Sequence, residues 1–173
     1  MNKAIFLDRD GTINVDYGYV YKVRDFKFID GAIEGLKILN DLGYVLIVVT
    51  NQSGIGRGFF SENDFNRIND YMLEQLKNNG VYIKNVYYCP HVDKDNCNCR
   101  KPRLGMFYDA IKDFNIDIDS SFAIGDKARD LSICNKENIK GILITDSVIE
   151  GYVCKKNLLD VAKYIKEISG SDD

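Results

Sequence analysis

Short apolar segments alternate with longer amphipathic segments along most of the 173 residues of this chain. The apolar segments have the length and composition of buried strands and cover residues 4–7, 44–49, 86–88, 122–124 and 142–144. The amphipathic segments show helical spacing and cover residues 32–42, 62–79, 106–114, 128–135 and 157–168. Strands separated by helices predict an α/β fold: a Rossmann-like, mainly parallel sheet with helices on both faces.

Polar and reactive residues follow four of these predicted strands. The carboxyl ends of parallel strands meet at one edge of a sheet, where such folds bind ligands, so we expect these residues to form one site. They are Asp8 and Asp10 after the first strand, Thr50, Asn51, Gln52 and Ser53 after the second, Cys89 and His91 after the third, and Asp126 and Lys127 after the fourth.

Asp8 and Asp10 belong to the motif D-R-D-G-T at residues 8–12. Residues two apart in an extended chain point the same way, so both carboxylates can face one pocket. Paired carboxylates repel each other and are best tolerated beside a cation. One of them can attack an electrophile while the other moves protons. The alternative is an acidic turn that only ends a strand.

Residues 89–101 read C-P-H-V-D-K-D-N-C-N-C-R-K and bring four metal-binding side chains together: Cys89, His91, Cys97 and Cys99. Three thiolates and one imidazole match a tetrahedral structural zinc site, which leaves no position for a reacting water. We therefore expect zinc to hold the shape of this loop. Cysteines packed as small apolar residues are the alternative, but the polar composition of the loop disfavours it.

Arg100 and Lys101 directly follow the last predicted zinc ligand, so zinc would hold two cations at the mouth of the pocket. An arginine offers a fork of donors to a phosphate, and a lysine offers a point charge near a transferring phosphoryl group. The alternative is that both are solvated basic residues before a proline.

The chain is expected to form a single domain over residues 1–168, without a large cap domain. Residues 14–29 are aromatic and β-prone, which predicts a short hairpin flap beside the two aspartates; the alternative is a hairpin with only a structural role. The zinc loop spans residues 89–103. We expect a disordered tail over residues 169–173.

The bulk composition excludes several classes of partner. The formal net charge of −3 provides no basic excess for nucleic acid or an anionic membrane. There is no apolar leader before Asp8 and no run of membrane-spanning length, so we expect a cytoplasmic protein. We also expect a monomer. Five cysteines in such a chain favour thiols or metal ligands over disulfides.

The motifs D-R-D-G-T, T-N-Q-S-G, C-P-H…C-x-C-R-K-P and G-D-K together resemble the haloacid dehalogenase-like phosphatases over nearly the whole chain. Within that group the chain is similar to the D-glycero-D-manno-heptose 1,7-bisphosphate 7-phosphatases of nucleotide-activated heptose and lipopolysaccharide biosynthesis. The histidinol-phosphate phosphatases are relatives that share the zinc loop. The loop between His91 and Cys97 is only five residues long, a departure that can alter the pocket rim.

The resemblance implies a catalytic set. Asp8 would be the nucleophile that forms an aspartyl-phosphate, and Asp10 would protonate the leaving sugar oxygen and then activate water. Mg²⁺ would be held by Asp8, the backbone carbonyl of Asp10, and Asp126. Thr50 and Lys101 would stabilise the transferring phosphoryl group.

The resemblance also implies a set of substrate-binding residues for a phosphorylated sugar. Asn51, Gln52 and Ser53 would line the site, and Arg100 and Lys127 would recognise the rest of the substrate. The flap would contribute Asp16, Tyr17, Gly18 and Tyr19. Asp130 would act behind the metal ligands, or would be a plain acid on a helix surface.

Four functions remain open at this point. The first two are a phosphatase for the 7-phosphate of the heptose bisphosphate and a histidinol-phosphate phosphatase. The third is a phospho-accepting signalling domain, which would need neither the second aspartate nor the zinc loop. The fourth is a zinc-knuckle binding module, against which the missing basic surplus counts. The motifs do not distinguish the anomers of the heptose.

Overall fold

The computed structural model describes residues 1–170 and contains one six-stranded sheet, in the order β3-β2-β1-β4-β5-β6. Every neighbouring pair of strands in this sheet is parallel. The strands are β1 (Ala4–Leu7), β2 (Val45–Asn51), β3 (Ile83–Cys89), β4 (Phe122–Gly125), β5 (Lys140–Ile144) and β6 (Val153–Lys155). The predicted α/β fold with a parallel sheet is confirmed.

Helices cover both faces of the sheet. They are α1 (Ala32–Asp41), α2 (Ser53–Gly56), α3 (Glu62–Asn78), α4 (Gly105–Asp113) and α5 (Leu158–Ser169). Alternate residues of a strand point to opposite faces, so β1 supplies Ile5 and Leu7 to one core and Ala4 and Phe6 to the other. The first core lies against α1, α3 and α5, and the second lies against α4.

Helix α3 shows how local sequence starts and orients an element. The Ser61 hydroxyl accepts a hydrogen bond from the Asp64 N–H at 3.1 Å, and the Asp64 carboxylate accepts one from the Ser61 N–H at 2.9 Å. This reciprocal cap satisfies two backbone donors that the first helical turn leaves free. The helix then buries Phe65, Ile68 and Met72, whose spacing places them on one face against the sheet.

The segment Ala128–Asn135 is a 3₁₀ helix, although its apolar spacing predicts an α-helix. Its first turn is fixed by Asp130, whose carboxylate accepts a hydrogen bond from the Lys127 N–H at 3.0 Å and is almost fully buried. The Asp130 N–H also donates to the Lys127 carbonyl at 3.0 Å, which is the i to i+3 pattern of a 3₁₀ turn. The sequence pattern also misses β6, which has only three residues, and the single turn α2.

Residues 14–29, for which the sequence predicts a hairpin, double back as a loop. An antiparallel bridge between Asn14 and Phe28 closes its base, and the described segment contains a 3₁₀ turn at Val23–Asp25 instead of two paired strands. The ring of Tyr21 stacks on Phe60 at 5.0 Å, so the aromatic side chains pack on the body of the protein and not across a ladder. This segment is called the flap below.

The connections of the sheet define a switch point. From β1 the chain proceeds outward to β2 and β3, and then returns to β4 on the other side of β1. Ligand sites in open parallel sheets form at such a point, beyond the carboxyl ends of the strands. The loops that follow β1 and β4 therefore face each other across one crevice.

The end of the chain differs from the expected tail. Ser169 is the last residue of α5 and Gly170 follows it as its cap, whereas residues 171–173 lie outside the described residues. Within residues 1–170, no helix is both long and apolar enough to cross a membrane.

Candidate active site

A polar cavity of about 270 Å³ lies at the switch point, between the flap and the loop that follows β3. Strand ends form its floor, and its rim carries several basic side chains. The lining residues are Asp8, Asp10, Asp16, Gly18, Tyr19, Asn51, Gln52, Ser53, Gly54, Arg57, Arg100, Lys101, Lys127 and Arg129.

Lys101 is the buried cation at the floor of the cavity. Its ammonium nitrogen donates to Oδ1 of Asp8 at 3.0 Å, to Oδ1 of Asp130 at 2.7 Å, and to the carbonyl of Val49 at 2.6 Å. The side chains of Lys101 and Asp130 are 1% and 2% exposed, which makes this a desolvated ion pair. Three acceptors hold the ammonium beside the reactive edge of Asp8.

Burial and charge set the ionisation of this group. Burial raises the pKa of Asp8 to about 8 in the metal-free protein; Lys101 opposes this shift, and Asp130, Asp10 and Asp126 add to it. Burial alone would lower the pKa of Lys101, but Asp8 and Asp130 outweigh it and raise this pKa above its ordinary value. The cavity thus contains an excess of carboxylates that a further cation would relieve.

Three carboxylates offer oxygens within 4.8 Å of one another: those of Asp8, Asp126 and Asp130. Oδ1 of Asp126 is buried and has no hydrogen-bond partner among the described residues. A Cβ at Gly11 would lie 2.3 Å from Oδ2 of Asp126, so only glycine lets the chain pass this carboxylate. The orphaned oxygen and the hard oxygen donors fit a magnesium ion.

The carboxylate of Asp10 lies outside that trio and is held by other side chains. Its Oδ1 accepts from Arg9 and from Nδ2 of Asn14, and its Oδ2 accepts from Nε2 of Gln52 at 3.0 Å. Gln52 is itself positioned because the same nitrogen donates to Oγ1 of Thr50 at 2.9 Å. Asp10 is therefore oriented in the cavity by partners of its own, including an ion pair with Arg9, and takes no part in the ion pair of Lys101 with Asp130.

Asn51 connects the end of β2 to Lys101. Its Nδ2 donates to the Lys101 carbonyl at 3.1 Å, and its Oδ1 accepts from the Lys101 N–H at 2.9 Å. The sequence predicts Asn51 as a substrate-lining residue; it does line the cavity, but both polar atoms of its amide bind the backbone of Lys101.

The four predicted zinc ligands cluster in the loop after β3. Sγ of Cys89 lies 3.6 Å from Sγ of Cys97, 3.4 Å from Nδ1 of His91 and 2.8 Å from Sγ of Cys99. A tetrahedral ion with bonds of about 2.0–2.3 Å separates its ligand atoms by roughly 3.3–3.8 Å, which two of these distances match. The donor set is that of structural zinc sites.

Cys97 is the member of this cluster that is most easily ionised. Burial raises the pKa of its thiol, but the backbone N–H groups of Arg100 and Cys99 outweigh burial and bring this pKa to about 6. Thiolate is the form that binds metal, so these backbone donors favour metal binding.

The rim carries four cations. Arg100 donates from Nε to Asp93 at 2.7 Å, and Lys127 lies 3.4 Å from Oδ2 of Asp126. Arg57 and Arg129 line the same cavity, and neither has an ion-pair partner within residues 1–170. The positive electrostatic potential of these side chains at the cavity mouth therefore favours an anion with several negative charges.

Most of the sequence-predicted catalytic and substrate-binding residues line this cavity, and Thr50 and Tyr17 are the two that do not. The predicted metal ligands Asp126, Cys89, His91, Cys97 and Cys99 also lie outside its lining. Thr50 is fully buried beneath the floor, where its hydroxyl accepts from Gln52, so it does not line the cavity. Tyr17 is 63% exposed and also lies off the cavity wall, because the flap turns at Gly18 with positive φ. Sequence reasoning missed Arg57 and Arg129, because both lie in exposed segments that contain no recognisable motif.

Known proteins resemble this chain over most of its length. Residues 3–149 match the family model described as polynucleotide kinase 3 phosphatase. The D-glycero-beta-D-manno-heptose-1,7-bisphosphate 7-phosphatase of Pasteurella multocida is 47% identical over 150 residues, or 83% of this chain and 82% of the relative. The D-glycero-alpha-D-manno-heptose-1,7-bisphosphate 7-phosphatase of Campylobacter jejuni is 40% identical over 168 residues, or 95% and 96% of the two chains.

A solved structure is similar in both fold and extent. The D,D-heptose 1,7-bisphosphate phosphatase of B. bronchiseptica, complexed with magnesium and phosphate, aligns with a TM-score of 0.88 at 29% identity. The alignment covers 96% of this chain and 99% of that one.

Proposed function

Because the chain belongs to the haloacid dehalogenase-like phosphatases, we propose that it removes the 7-phosphate of D-glycero-D-manno-heptose 1,7-bisphosphate through an aspartyl-phosphate. The observation that carries this proposal is the single cavity in which Asp8, Asp10 and Lys101 meet beneath a rim of four cations. A nucleophile, a proton carrier and anion-binding groups are the parts that phosphoryl transfer requires.

Asp8 is the proposed nucleophile. One of its carboxylate oxygens forms a bond to the phosphorus of the 7-phosphate while the bond from phosphorus to the sugar oxygen breaks. Lys101, 3.0 Å from this carboxylate, remains beside the transferring phosphoryl group and stabilises its charge. Asp130 holds Lys101 from the other side, at 2.7 Å.

Asp10 is the proposed proton carrier. It gives its proton to the sugar oxygen as that oxygen leaves, which avoids release of a free alkoxide. It then takes a proton from the water that attacks the phosphorus of the aspartyl-phosphate. This second step releases phosphate and restores the carboxylate of Asp8 and the acid form of Asp10.

We propose Mg²⁺ as the catalytic ion, held by the carboxylates of Asp8 and Asp126 and the backbone carbonyl of Asp10. When bound, it would neutralise charge on the phosphoryl oxygens and on the crowded carboxylates. Asp130 lies within the same group of carboxylates, but its Oδ1 is engaged by Lys101 and its Oδ2 by the Lys127 N–H. We therefore propose that Asp130 positions Lys101 behind the metal.

We propose a structural zinc in the loop after β3. The loop supplies both Arg100 and Lys101, and its four ligands leave no position for a reacting water. Thiolate ligands persist in a reducing compartment, which supports the cytoplasm as the place of action. One chain supplies every proposed site residue, which supports a monomer.

The rim supports a bisphosphate over an amino-alcohol phosphate as the substrate. One phosphate would react at Asp8, and the second would lie among Arg57, Arg100 and Arg129. The ammonium of histidinol phosphate would meet like charges there, which costs binding energy. Asp16 lines the cavity from the flap and is the acidic group that such a substrate would use.

Phosphate release tests the proposal. The purified chain would be assayed with Mg²⁺ on both anomers of the heptose bisphosphate and on histidinol phosphate, with Asp8→Asn as the inactive reference. The proposal expects faster turnover of a heptose bisphosphate, and the preferred anomer identifies the biosynthetic branch. A higher kcat/KM for histidinol phosphate would overturn the substrate assignment, and activity in the Asp8→Asn variant would overturn the mechanism.

A further inference from the structure

Arg9 is fully buried between the two catalytic aspartates of the sequence, and the proposed chemistry has not used it. Its Nε and Nη2 donate to Oδ1 of Asp10 at 3.2 and 2.8 Å, and Nη2 also donates to the carbonyl of Val20 at 2.8 Å. Nη1 has no hydrogen-bond partner among the described residues. Burial of a guanidinium is costly, so the carboxylate of Asp10 and this carbonyl are what hold it in place.

The two oxygens of Asp10 differ sharply in their partners. Oδ1 accepts from both Arg9 nitrogens and from Nδ2 of Asn14 at 2.9 Å, which exhausts its lone pairs. Oδ2 accepts from Gln52 alone among the described residues. Oδ2 is therefore the oxygen with capacity to carry a proton and to meet a substrate.

The same guanidinium reaches the flap. Val20 is buried and follows Gly18 and Tyr19, which line the cavity. Because Arg9 donates to the Val20 carbonyl and also to Asp10, it couples the position of the flap to the position of the Asp10 carboxylate. A displacement of the flap would thus be transmitted to the proton carrier through one side chain.

We propose that Arg9 is a positioning residue: it holds Asp10 by Oδ1, presents Oδ2 to the substrate, and ties this carboxylate to the flap through Val20. The proposal rests on the proposed function, because it assumes that Asp10 moves the proton. A lysine at this position keeps a positive charge but cannot form the fork that reaches both Asp10 and Val20.

The two chemical steps depend differently on a well-placed Asp10. A sugar oxygen needs its proton to leave, whereas p-nitrophenolate leaves readily without one. Hydrolysis of the aspartyl-phosphate needs a base for either substrate, because water must lose a proton as its oxygen bonds to phosphorus. A misplaced Asp10 should therefore slow both steps for a sugar phosphate but only the second step for p-nitrophenyl phosphate.

The test compares Arg9→Lys with the unmodified chain in rapid-mixing assays on the heptose bisphosphate and on p-nitrophenyl phosphate, with Mg²⁺ present. For Arg9→Lys we expect a burst of p-nitrophenolate, with a burst rate within about threefold of the unmodified chain and a slow steady state. Turnover of the heptose bisphosphate should fall by about 10–100-fold, since a well-placed proton carrier contributes ~10²–10⁴-fold. Arg67→Lys, at an exposed position, is the matched control and should change the turnover of neither substrate.

A second variant guards against misfolding, which thermal melting and circular dichroism would detect in Arg9→Lys. Asn14→Ala removes one donor from Oδ1 and keeps Arg9, so it should show the same dependence on the leaving group at a smaller size, about three- to tenfold. Equal losses of burst and steady state on both substrates, or unchanged turnover of the heptose bisphosphate, would overturn the role of Arg9. If the unmodified chain hydrolyses no sugar phosphate, the proposed substrate fails, while the p-nitrophenolate burst still decides whether Arg9 positions Asp10.

Discussion

The ammonium of Lys101 lies 3.0 Å from Oδ1 of Asp8, although 93 positions of sequence separate the two residues. Asp8 is placed by the first strand of the sheet, whereas Lys101 belongs to the loop that carries the metal-binding cysteines. Asn51 fixes the backbone of Lys101 by two hydrogen bonds from the end of β2. The buried ion pair therefore depends on the sheet and on this loop at the same time.

Removal of the Lys101 charge should affect stability as well as activity. Lys101→Met leaves the buried carboxylate of Asp130 without its cation, and such a loss costs about 3–5 kcal/mol. We expect the free energy of unfolding, measured with urea at pH 7, to fall by about this amount, and turnover to disappear. Lys94→Met, at an exposed position of the same loop, is the control and should change little. A Lys101→Met protein as stable as the unmodified chain would contradict the importance of the ion pair.

Magnesium binding should depend on pH through Asp8. In the metal-free protein the pKa of Asp8 is raised from 3.8 to about 8, chiefly by burial. The stability that the protonated Asp8 contributes to the folded protein is complete below the pKa of Asp8 in the unfolded chain. This stability is lost as the pH rises through about 8. A divalent cation needs the carboxylate, so its affinity should rise up to about tenfold per pH unit below this value and level off above it.

Thermal melting with and without Mg²⁺ checks this dependence. The increase in Tm caused by Mg²⁺ should be larger at pH 8.5 than at pH 6, because no proton must then be displaced from Asp8. Asp8→Asn has no such proton, so its smaller Mg²⁺ effect should vary less with pH. An increase that is the same at both pH values in the unmodified chain would contradict the raised pKa of Asp8.

The sequence predicts the site residues that strands position and misses those that depend on long-range geometry. Asp8, Asp10 and Asp126 follow strands directly, so the topology of the sheet is enough to bring them together. Arg57 and Arg129 lie in exposed segments whose composition is that of any solvated surface, and only the three-dimensional fold shows that both line the cavity.

Local pattern also fails where tertiary contacts override it. The turn containing Asp130 reads as an α-helix, but its inward carboxylate binds the Lys127 N–H and Lys101, and the segment is a 3₁₀ helix. The sequence of the flap predicts a hairpin, but Tyr21 packs on Phe60 and the backbone turns without forming two hydrogen-bonded strands. In both cases a residue outside the segment, Lys101 or Phe60, contacts a side chain whose direction the local pattern does not predict.

Substitutions of the two aspartates in the D-R-D-G-T motif should lower activity in different ways. Asp8→Asn removes the nucleophile, so acid quenching of a reaction with labelled substrate should trap no phosphoryl-enzyme. Asp10→Asn keeps the nucleophile but should lower turnover of a sugar phosphate by about 10²–10⁴-fold. Mass spectrometry of the quenched proteins distinguishes the two variants. A phosphoryl group on the Asp8→Asn protein would contradict the proposed roles of the two aspartates.

The cysteine cluster should bind about one zinc ion per chain, distinct from the catalytic magnesium. Cys97→Ser or Cys99→Ser should abolish zinc binding in elemental analysis of protein purified without chelator. Since the loop carries Lys101, kcat/KM should also fall, while circular dichroism keeps the signal of the sheet. Cys154→Ser, outside the cluster, is the matched control. Protein that contains no zinc, or a Cys99→Ser variant with full zinc content, would contradict this site.

Arg100 should bind the second phosphate of the substrate, the one that does not react at Asp8. It lines the cavity beside Lys101, and its only ion-pair partner in residues 1–170 is Asp93, whose side chain is 83% exposed and so offers a weak competitor. The phosphate that does not react at Asp8 can therefore engage the guanidinium. A lost charged hydrogen bond is worth roughly 1.5–3 kcal/mol, so Arg100→Ala should lower kcat/KM for the bisphosphate by about one to two decades.

The comparison between substrates isolates that role. Arg100→Ala should affect a 7-monophosphate of the same sugar less than the bisphosphate, and p-nitrophenyl phosphate hardly at all, because the nucleophile and the proton carrier are untouched. Arg57→Ala removes another guanidinium of the same rim and should show the same order of substrates if both guanidiniums hold the second phosphate. Zinc content measured in parallel would exclude damage to the loop. Equal losses on all three substrates would mean that Arg100 supports the chemistry or the loop, and its role in recognition would then be wrong.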